Sequence, residues 1–440
     1  MSAFDAFNPP SAEQLSDCVH CGFCLPSCPT YALDGEEMDS PRGRIWLMQL
    51  GLEGAAAMDD TYVSHFDACL GCMACVSACP SGVAYDELIE ATRAQIERRH
   101  DRGLADRAFR AAVFALFPHP GRLRAAALAG WLLQRSGADR LLTLLRADAW
   151  LPPRLQALRA LQPRVTLADL RPRTPAHSPA AGERRLTVGL LTGCVQSVYF
   201  SAVNAAAVRV LTAEGCDVIA PPEQGCCGAL GVHAGREEGA RELARRTVEV
   251  FDAAAVDVVV TTAAGCGSTM KDYGRLLRGD PAYAERAADL AGRVRDISEV
   301  LADLPPRAPR HPLPAAVTYH DACHLAHAQG VKGQGLRAQP RAMLRSIPQL
   351  DLRELPDDPE SQLCCGSAGI YNLLEPGAAE ELGRRKAAAL AATAPQAVVT
   401  GNPGCLLQLR RHLPGVPVLH PIELLDAAIR GTDPFASRPR

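Results

Sequence analysis

Short apolar runs punctuate the second half of the chain at regular intervals. Leu186–Leu191, Val256–Val260, Ala315–Tyr319 and Gln396–Thr400 are each five or six residues long and rich in Val or Ala. Each is followed closely by Gly or Asp and then by a longer stretch with helical periodicity. Such runs read as buried strands, and strands alternating with helices imply parallel, doubly wound sheets. The first hundred residues show no comparable run. There, Pro41–Met58 reads as a helix, so this part is expected to be largely helical. The apolar stretch Ala125–Leu133 is far shorter than the 18 or so residues that a membrane-crossing helix needs.

The strand-and-helix pattern occurs twice. One unit opens with LTVGLLTGC ending at Cys194, the other with AAVTYHDAC ending at Cys323. Each continues to a doublet, Cys226-Cys227-Gly228 or Cys364-Cys365-Gly366, and then to a strand ending at Cys266 or Cys405. VRDISEVL and VLHPIELL close the two units. The doublet lies 32 and 41 residues after the first cysteine, and the last cysteine 39 and 40 residues after the doublet. Agreement at this level indicates duplication. Ligands in doubly wound sheets bind beyond the carboxyl ends of the strands. Two cysteines of each unit sit just past such ends, so four thiols per unit are expected to converge. Cys216 has no counterpart and reads as a small buried hydrophobe.

Cysteine is the compositional outlier, at 17 of 440 residues. Clustering, an odd count and an N-terminus (MSAFDAFNPP) without the charged and apolar regions of a secretory signal favour metal-bound thiolates in a reducing, cytoplasmic setting. The net charge of −3 and 5% aromatic content give no sign of a nucleic-acid partner.

The most specific signal lies near the start. Cys18, Cys21, Cys24 and Cys28 form C-x2-C-x2-C-x3-C followed by Pro29; Cys69, Cys72, Cys75 and Cys79 repeat it before Pro80. This is the spacing of two-cluster ferredoxins, in which the fourth cysteine serves the other cluster. The expected ligand sets are therefore Cys18, Cys21, Cys24 and Cys79 for one [4Fe–4S] cluster, and Cys28, Cys69, Cys72 and Cys75 for the other. Small residues beside them (Gly22, Gly71, Ala74, Ala78) let backbone amides approach the sulfurs. Zinc sites lack the third cysteine in phase, and attached haem needs a His that no C-x-x-C here provides. The chain has no G-x-G-x-x-G after a strand, no P-loop, no H-E-x-x-H and no serine-nucleophile motif. Clusters without a substrate-oxidising cofactor point to an electron relay fed by another subunit.

These residues resemble a known family: the iron–sulfur subunits of glycolate oxidase, with relatives in anaerobic glycerol-3-phosphate dehydrogenase, lactate-utilisation systems and heterodisulfide reductase. The resemblance rests on Cys18–Tyr31, SPRGRI (Ser40–Ile45), CPSGVAY (Cys79–Tyr85), GCCGAL, AAGCG, HDACHLAHAQ (His320–Gln329), LCCGSAGIYN and HPIELL. It implies flavin-containing dehydrogenase subunits as donors and a quinone or other respiratory acceptor. Lactate, glycerol 3-phosphate or another 2-hydroxy acid are alternative substrates of the complex, and a thiol/disulfide reductase is the alternative activity. In heterodisulfide reductase each unit ends in C-x-x-C, and five cysteines hold an unusual cluster. Here Thr269 and Gln408 occupy the fifth positions. Each unit keeps four thiols (Cys194, Cys226, Cys227, Cys266; Cys323, Cys364, Cys365, Cys405), which leaves a regular four-thiol cluster or a bare thiol site open.

The fold expected is α+β and multidomain: a helical ferredoxin-type domain (1–100), an Arg-rich helical segment and linker (101–184), and two duplicated α/β domains (185–310, 311–440). His320 and His324 flank Cys323 and are candidates to support a cofactor, against a reading in which Asp321 begins a helix in a hydrogen-bonded turn. Arg42 and Arg44 either offset cluster charge or begin an exposed helix. Between Arg107 and Arg159 stand nine Arg and two Asp among apolar residues. This pattern packs on a partner or on the chain itself, or lies peripherally on an anionic membrane surface.

Overall fold

A computed structural model describes residues 2–137, 144, 150–163, 165–166, 174–330 and 334–436. The first hundred residues are helical, as their pattern predicts. The inserted helix runs Pro41–Glu53 and stops short of Met58. Ser40 accepts a hydrogen bond from the Gly43 amide, Pro41 pre-sets the first turn, and Gly54 ends the helix in the left-handed region (φ 76°). The helix buries Ile45 and Met48 against Tyr62, Phe66 and Leu88. Its neighbour Tyr85–Arg99 carries this domain onto the rest of the chain.

The duplicated units form two sheets. The first comprises β1 (His177–Ser178), β2 (Leu186–Leu190), β3 (Cys216–Ile219), β4 (Val258–Thr261) and β5 (Val294–Asp296), in the order β1-β3-β2-β4-β5. The second comprises β6 (Ala316–Tyr319), β7 (Asp351–Arg353), β8 (Ala397–Val399) and β9 (Val418–Leu419), in the order β7-β6-β8-β9. All pairings are parallel except β1 on β3. The stretch expected to be linker therefore also caps the first sheet with an edge strand, His177 opposite Ile219. Each unit closes identically: β5 and β9 run into helices capped by reciprocal boxes, Asp296 with Glu299 and His420 with Glu423.

The units share one core that runs from Val188 and Val260 to Val317 and Val398. Helix Ser201–Ala213 of the first packs on Pro421–Arg430 of the second; Ala338–Arg345 of the second packs on Ile297–Asp303 of the first. The contacts are reciprocal, as in an isologous pair. Arg209 clamps Asp426 across this seam with bonds of 2.8 and 2.7 Å. In each sheet the order reverses between the first and third strands of the unit, β2/β4 and β6/β8. Crevices form at such switch points, and there the cysteines stand.

Gly366 adopts φ +83°, and a Cβ there would lie 2.7 Å from the Ala379 carbonyl oxygen. Gly366→Ala is expected to lower stability by about 1–3 kcal/mol, read as a lower melting temperature under anaerobic conditions. An unchanged melting temperature would show that the doublet turn tolerates a side chain.

Candidate functional site

The two N-terminal motifs fold around two small adjoining hollows. Cys18, Cys21, Cys24 and Cys79 line one, Cys28, Cys69, Cys72 and Cys75 the other, and Cys75 borders both. Gly22 is required beside the first: it sits at φ +85°, and a Cβ would meet Arg42 Nη1 at 2.8 Å. Arg42 is held there by Glu37 at 2.6 Å and donates to the His20 carbonyl. Burial pushes the Cys24 thiol up to about 11.

The second hollow is deeper. Burial pushes Cys72 and Cys75 well above the usual thiol range. Cys69 goes the other way. Its burial cost is outweighed by the Arg44 and Arg93 charges, the Gly71 amide (3.4 Å to the sulfur) and the Tyr85 hydroxyl (3.6 Å). Arg44 is 1% exposed. It donates to the His65 carbonyl (2.6 Å), Thr30 Oγ1 (3.1 Å) and Asp39 (3.1 Å), so it does not begin an exposed helix. Arg93 bonds the Phe66 carbonyl and reaches across to the His233 carbonyl at 2.9 Å, tying this domain to the first α/β unit.

Each α/β unit brings its four thiols into contact. Cys194 and Cys226 sulfurs lie 3.5 Å apart; Cys226 continues to Cys227, and Cys227 to Cys266. The second unit repeats the chain as Cys323, Cys364, Cys365 and Cys405. The last cysteine of each unit lies on the helix that follows the third strand, Ala264–Lys271 and Pro403–His412. Gln408, at the fifth position of the second unit, completes the packing rather than the site. Gln408 donates to the Ala379 carbonyl at 2.8 Å and accepts from Asn372. Cys216 is fully buried within β3, apart from both sets.

Four converging thiols with amide donors and nearby cations suit a negatively charged iron–sulfur cluster, so the residues fit the group their spacing predicts; all four are buried in the second hollow, whereas Cys21 of the first is exposed. Among the described residues no three His, Cys, Asp or Glu side chains lie at the spacing of a single bound metal ion. A cube of iron and sulfide holds its ligands further apart than one ion does.

The second hollow and the second α/β unit are neighbours. Cys72 packs with Cys364, Tyr371 and Leu382, beside Cys323. Cys323 is close enough that ionising either thiol would oppose ionising the other. The histidines of HDACHLAHAQ fasten this junction: His324 Nε2 meets the Gly71 carbonyl oxygen at 2.9 Å, and His327 Nδ1 meets Ser77 Oγ at 2.9 Å. His320 lies behind the thiols, bonded to Thr400 at 3.0 Å. Asp321 does not cap the helix, whose N-cap is Ala322; it takes a two-pronged bond from Arg341 at 2.9 and 2.7 Å. Sequence reasoning missed Lys386, one of three lysines, buried among Cys323, Cys364 and Cys365. Its helical position gave no signal, because the thiols it faces are distant in sequence.

Both thiol sets open on one cavity of about 690 Å³. Its far wall comes from the Arg-rich segment, whose described helices are Leu104–Leu116, Pro120–Arg135 and Pro153–Leu161. That segment packs on the chain itself. Leu123 and Ala127 meet Val198 of the first unit, and buried Arg110 pairs with Asp106 and Asp67. Leu128, Leu132 and Trp150 remain exposed. Part of the repetitive stretch Leu123–Leu145 lies outside the described residues.

Comparison with known proteins agrees with this arrangement. A 4Fe-4S dicluster domain matches residues 14–83, and a cysteine-rich domain matches 188–271 and 317–410. The chain is thus an iron–sulfur protein that joins a dicluster domain to a pair of cysteine-rich domains. Residues 105–161 match the linker region of the glycolate oxidase iron-sulfur subunit. A probable glycolate oxidase iron-sulfur subunit of Bacillus subtilis is 39% identical over 90% of this chain and 88% of its own length. The glycolate oxidase iron-sulfur subunit of Escherichia coli is 34% identical over 94% of each chain. Lactate utilization protein A of Oceanobacillus iheyensis is 29% identical over 56% of this chain and 99% of its own. The chain belongs to the family of glycolate oxidase iron–sulfur subunits.

Two outcomes follow from the site's electrostatics. Arg44→Met leaves Asp39 facing a buried gap, and loss of one partner from such a pair costs about 3–5 kcal/mol; equal melting temperatures for variant and wild type would contradict this. Burial holds His320 at about 3, and His327 and His420 at about 4, all below their unfolded value. The unfolded chain therefore binds more protons once pH drops below about 6.5. Stability is expected to be full above that pH and to decline towards pH 4, by up to about 2 kcal/mol per histidine at pH 5. Anaerobic denaturation at pH 7 and pH 5 measures the difference, and equal stability at the two would contradict it.

Proposed function

We propose that this chain is the electron-transfer subunit of a flavin-dependent 2-hydroxy-acid oxidase complex, with glycolate as substrate. It passes electrons from flavin-containing subunits towards a quinone or another respiratory acceptor. The observation that carries the reading is the unbroken succession of thiol sets: two hollows that share Cys75, then Cys72 beside Cys323. The names of the Bacillus and Escherichia relatives support glycolate. On this reading the chain divides into a ferredoxin-type domain (1–100), a linker (101–184) and two cysteine-rich domains (185–310, 311–440).

Cys18, Cys21, Cys24 and Cys79 hold one [4Fe–4S] cluster, and Cys28, Cys69, Cys72 and Cys75 the other. Cys194, Cys226, Cys227 and Cys266, and their counterparts Cys323, Cys364, Cys365 and Cys405, hold further iron. A bound cluster supplies one-electron transfer at a potential that its surroundings set between about −700 and +450 mV. The chain provides those surroundings. Arg44 and Arg93 place positive charge at Cys69, the Gly71 amide and Tyr85 hydroxyl donate to its sulfur, and Lys386 places a cation among the second unit's thiols. Buried apolar walls keep water from the second hollow. The chain works in the cytoplasm, peripherally on the inner face of the membrane. The apolar residues exposed on the linker support that placement, and among the described residues no helix is long and apolar enough to cross a membrane.

Cys24→Ser is expected to abolish glycolate-dependent acceptor reduction, a loss of at least about 100-fold, while the variant still co-purifies with its flavin partners. Unchanged respiration in cells that carry only the variant would refute the relay.

A further inference from the structure

We propose that the cavity between the two thiol sets and the linker helices binds a lipid-soluble quinone, and that Glu90 and His233 deliver the protons its reduction consumes. The inference rests on the electron-transfer reading above and names its acceptor and the acceptor's site.

The cavity has a volume of about 690 Å³, part of which lies against the thiols and goes to the iron proposed there; the remainder runs along the linker helices. Iron on the thiols accounts for the wall that the cysteines form. It does not account for the opposite wall, where Leu116, Phe117, Leu123, Leu133 and Leu158 offer no ligand atom. Leu133, Leu155 and Leu158 line the cavity and are also 39%, 40% and 37% exposed, so it reaches the surface along the linker's apolar face. An apolar tail can enter there. Three buried polar atoms on lining residues lack a hydrogen-bond partner: His233 Nε2, His324 Nδ1 and Ser367 Oγ. An apolar slot with a few unsatisfied polar atoms suits a flat ring with carbonyl oxygens at its ends. The cysteines that would hold iron form its other wall.

Quinone reduction needs protons, and the opposite side of His233 supplies a route. A polar cleft of about 640 Å³ runs between the N-terminal domain and the first α/β unit, lined by Asp86, Glu90, Lys271, Asp272 and Arg275 among others. His233 lines both spaces and divides them. Its Nδ1 lies 3.7 Å from Glu90 Oε1, and its ring stands edge-on to His324 with centroids 4.6 Å apart. The groups that face the pair are Arg275 and Asp272 from the first unit, Asp86 on the helix of Glu90, and Arg93 and His324 beside His233. Burial, opposed by Arg275, places Glu90 at about 7. Burial and the neighbouring His324 and Arg93 hold His233 neutral; in the tautomer protonated at Nε2, Nδ1 accepts from Glu90 as Nε2 gives its proton to the quinone oxygen. The balance closes: two electrons arrive singly from the flavin donor through the clusters. Two protons pass from cleft water through Glu90 and His233, and the two carbonyls become hydroxyls.

The test uses the intact complex, purified anaerobically with its flavin subunits. Glycolate-dependent reduction of a decyl-substituted benzoquinone and of ferricyanide are followed in parallel, with iron content as the check on folding. Ala126→Trp fills the cavity from the linker; Leu158→Trp does so from a half-exposed position should the first variant fold poorly. Either is expected to lower quinone reduction at least tenfold and to leave ferricyanide reduction within twofold. Glu90→Gln is expected to lower quinone kcat at least fivefold with KM unchanged and to remove the pH dependence near 7, which Glu90→Asp restores in part. Wild-type quinone rates in both cavity-filled variants would overturn the site, and an unaltered pH profile in Glu90→Gln the proton route. A wild-type complex that reduces ferricyanide but not quinone overturns this inference and leaves the relay standing. One that reduces neither overturns the relay itself.

Discussion

The seating of the second cluster motif against the second cysteine-rich unit is the contact on which the rest depends. Cys72 is buried beside Cys323 and Cys364 in one apolar packing group. Two histidines bolt the surfaces together through a Gly71 carbonyl and a Ser77 hydroxyl. Without that seating the chain would be a small ferredoxin tethered to a pair of α/β domains. With it, thiol sets that are distant in sequence become neighbours. Arg93 makes the corresponding tie to the first unit through the His233 carbonyl.

The same seating creates an electrostatic problem that the protein solves locally. Several thiolates in a dry interior repel one another and resist ionisation, as the raised Cys72 and Cys75 show. Positive charge is therefore buried next to them. Arg44 and Arg93 bring Cys69 down, and Lys386 sits among the second unit's thiols despite the cost of its own burial. Among the described residues no lysine stands among the first unit's thiols; there the Tyr273 hydroxyl donates to the Cys227 carbonyl at 2.7 Å. The duplicated units are thus alike in backbone and unlike in the polar groups beside their thiols.

Much of this was legible in the sequence. The strand pattern is strong because parallel strands buried on both faces leave continuous apolar runs such as Val258–Val260. The duplicated order and the doublets located both crevices, and the ferredoxin spacing located both hollows. Less legible was whatever depends on contact across domains. Arg44 looks like a surface residue because Pro41–Glu53 has no strong apolar face, yet it is buried by the loop at Asp39. Glu90 and His233 carry no motif; they face each other because helix Tyr85–Arg99 of one domain meets the short helix Ala229–His233 of another. Asp321 looked like a cap and is an ion-pair partner, since Arg341 approaches from a later helix. The pattern of the Arg-rich segment fits packing on a partner, on the chain itself or on a membrane surface, and gives no sign that its helices wall a cavity.

A relay that runs beyond the two ferredoxin motifs into the cysteine-rich pair requires iron in that pair. Iron and acid-labile sulfide per chain in anaerobically purified protein test it directly. About twelve to sixteen irons are expected, at two to four for each additional set of four thiols beyond the eight of two [4Fe–4S] clusters. A count that stays at about eight in fully loaded protein would contradict it.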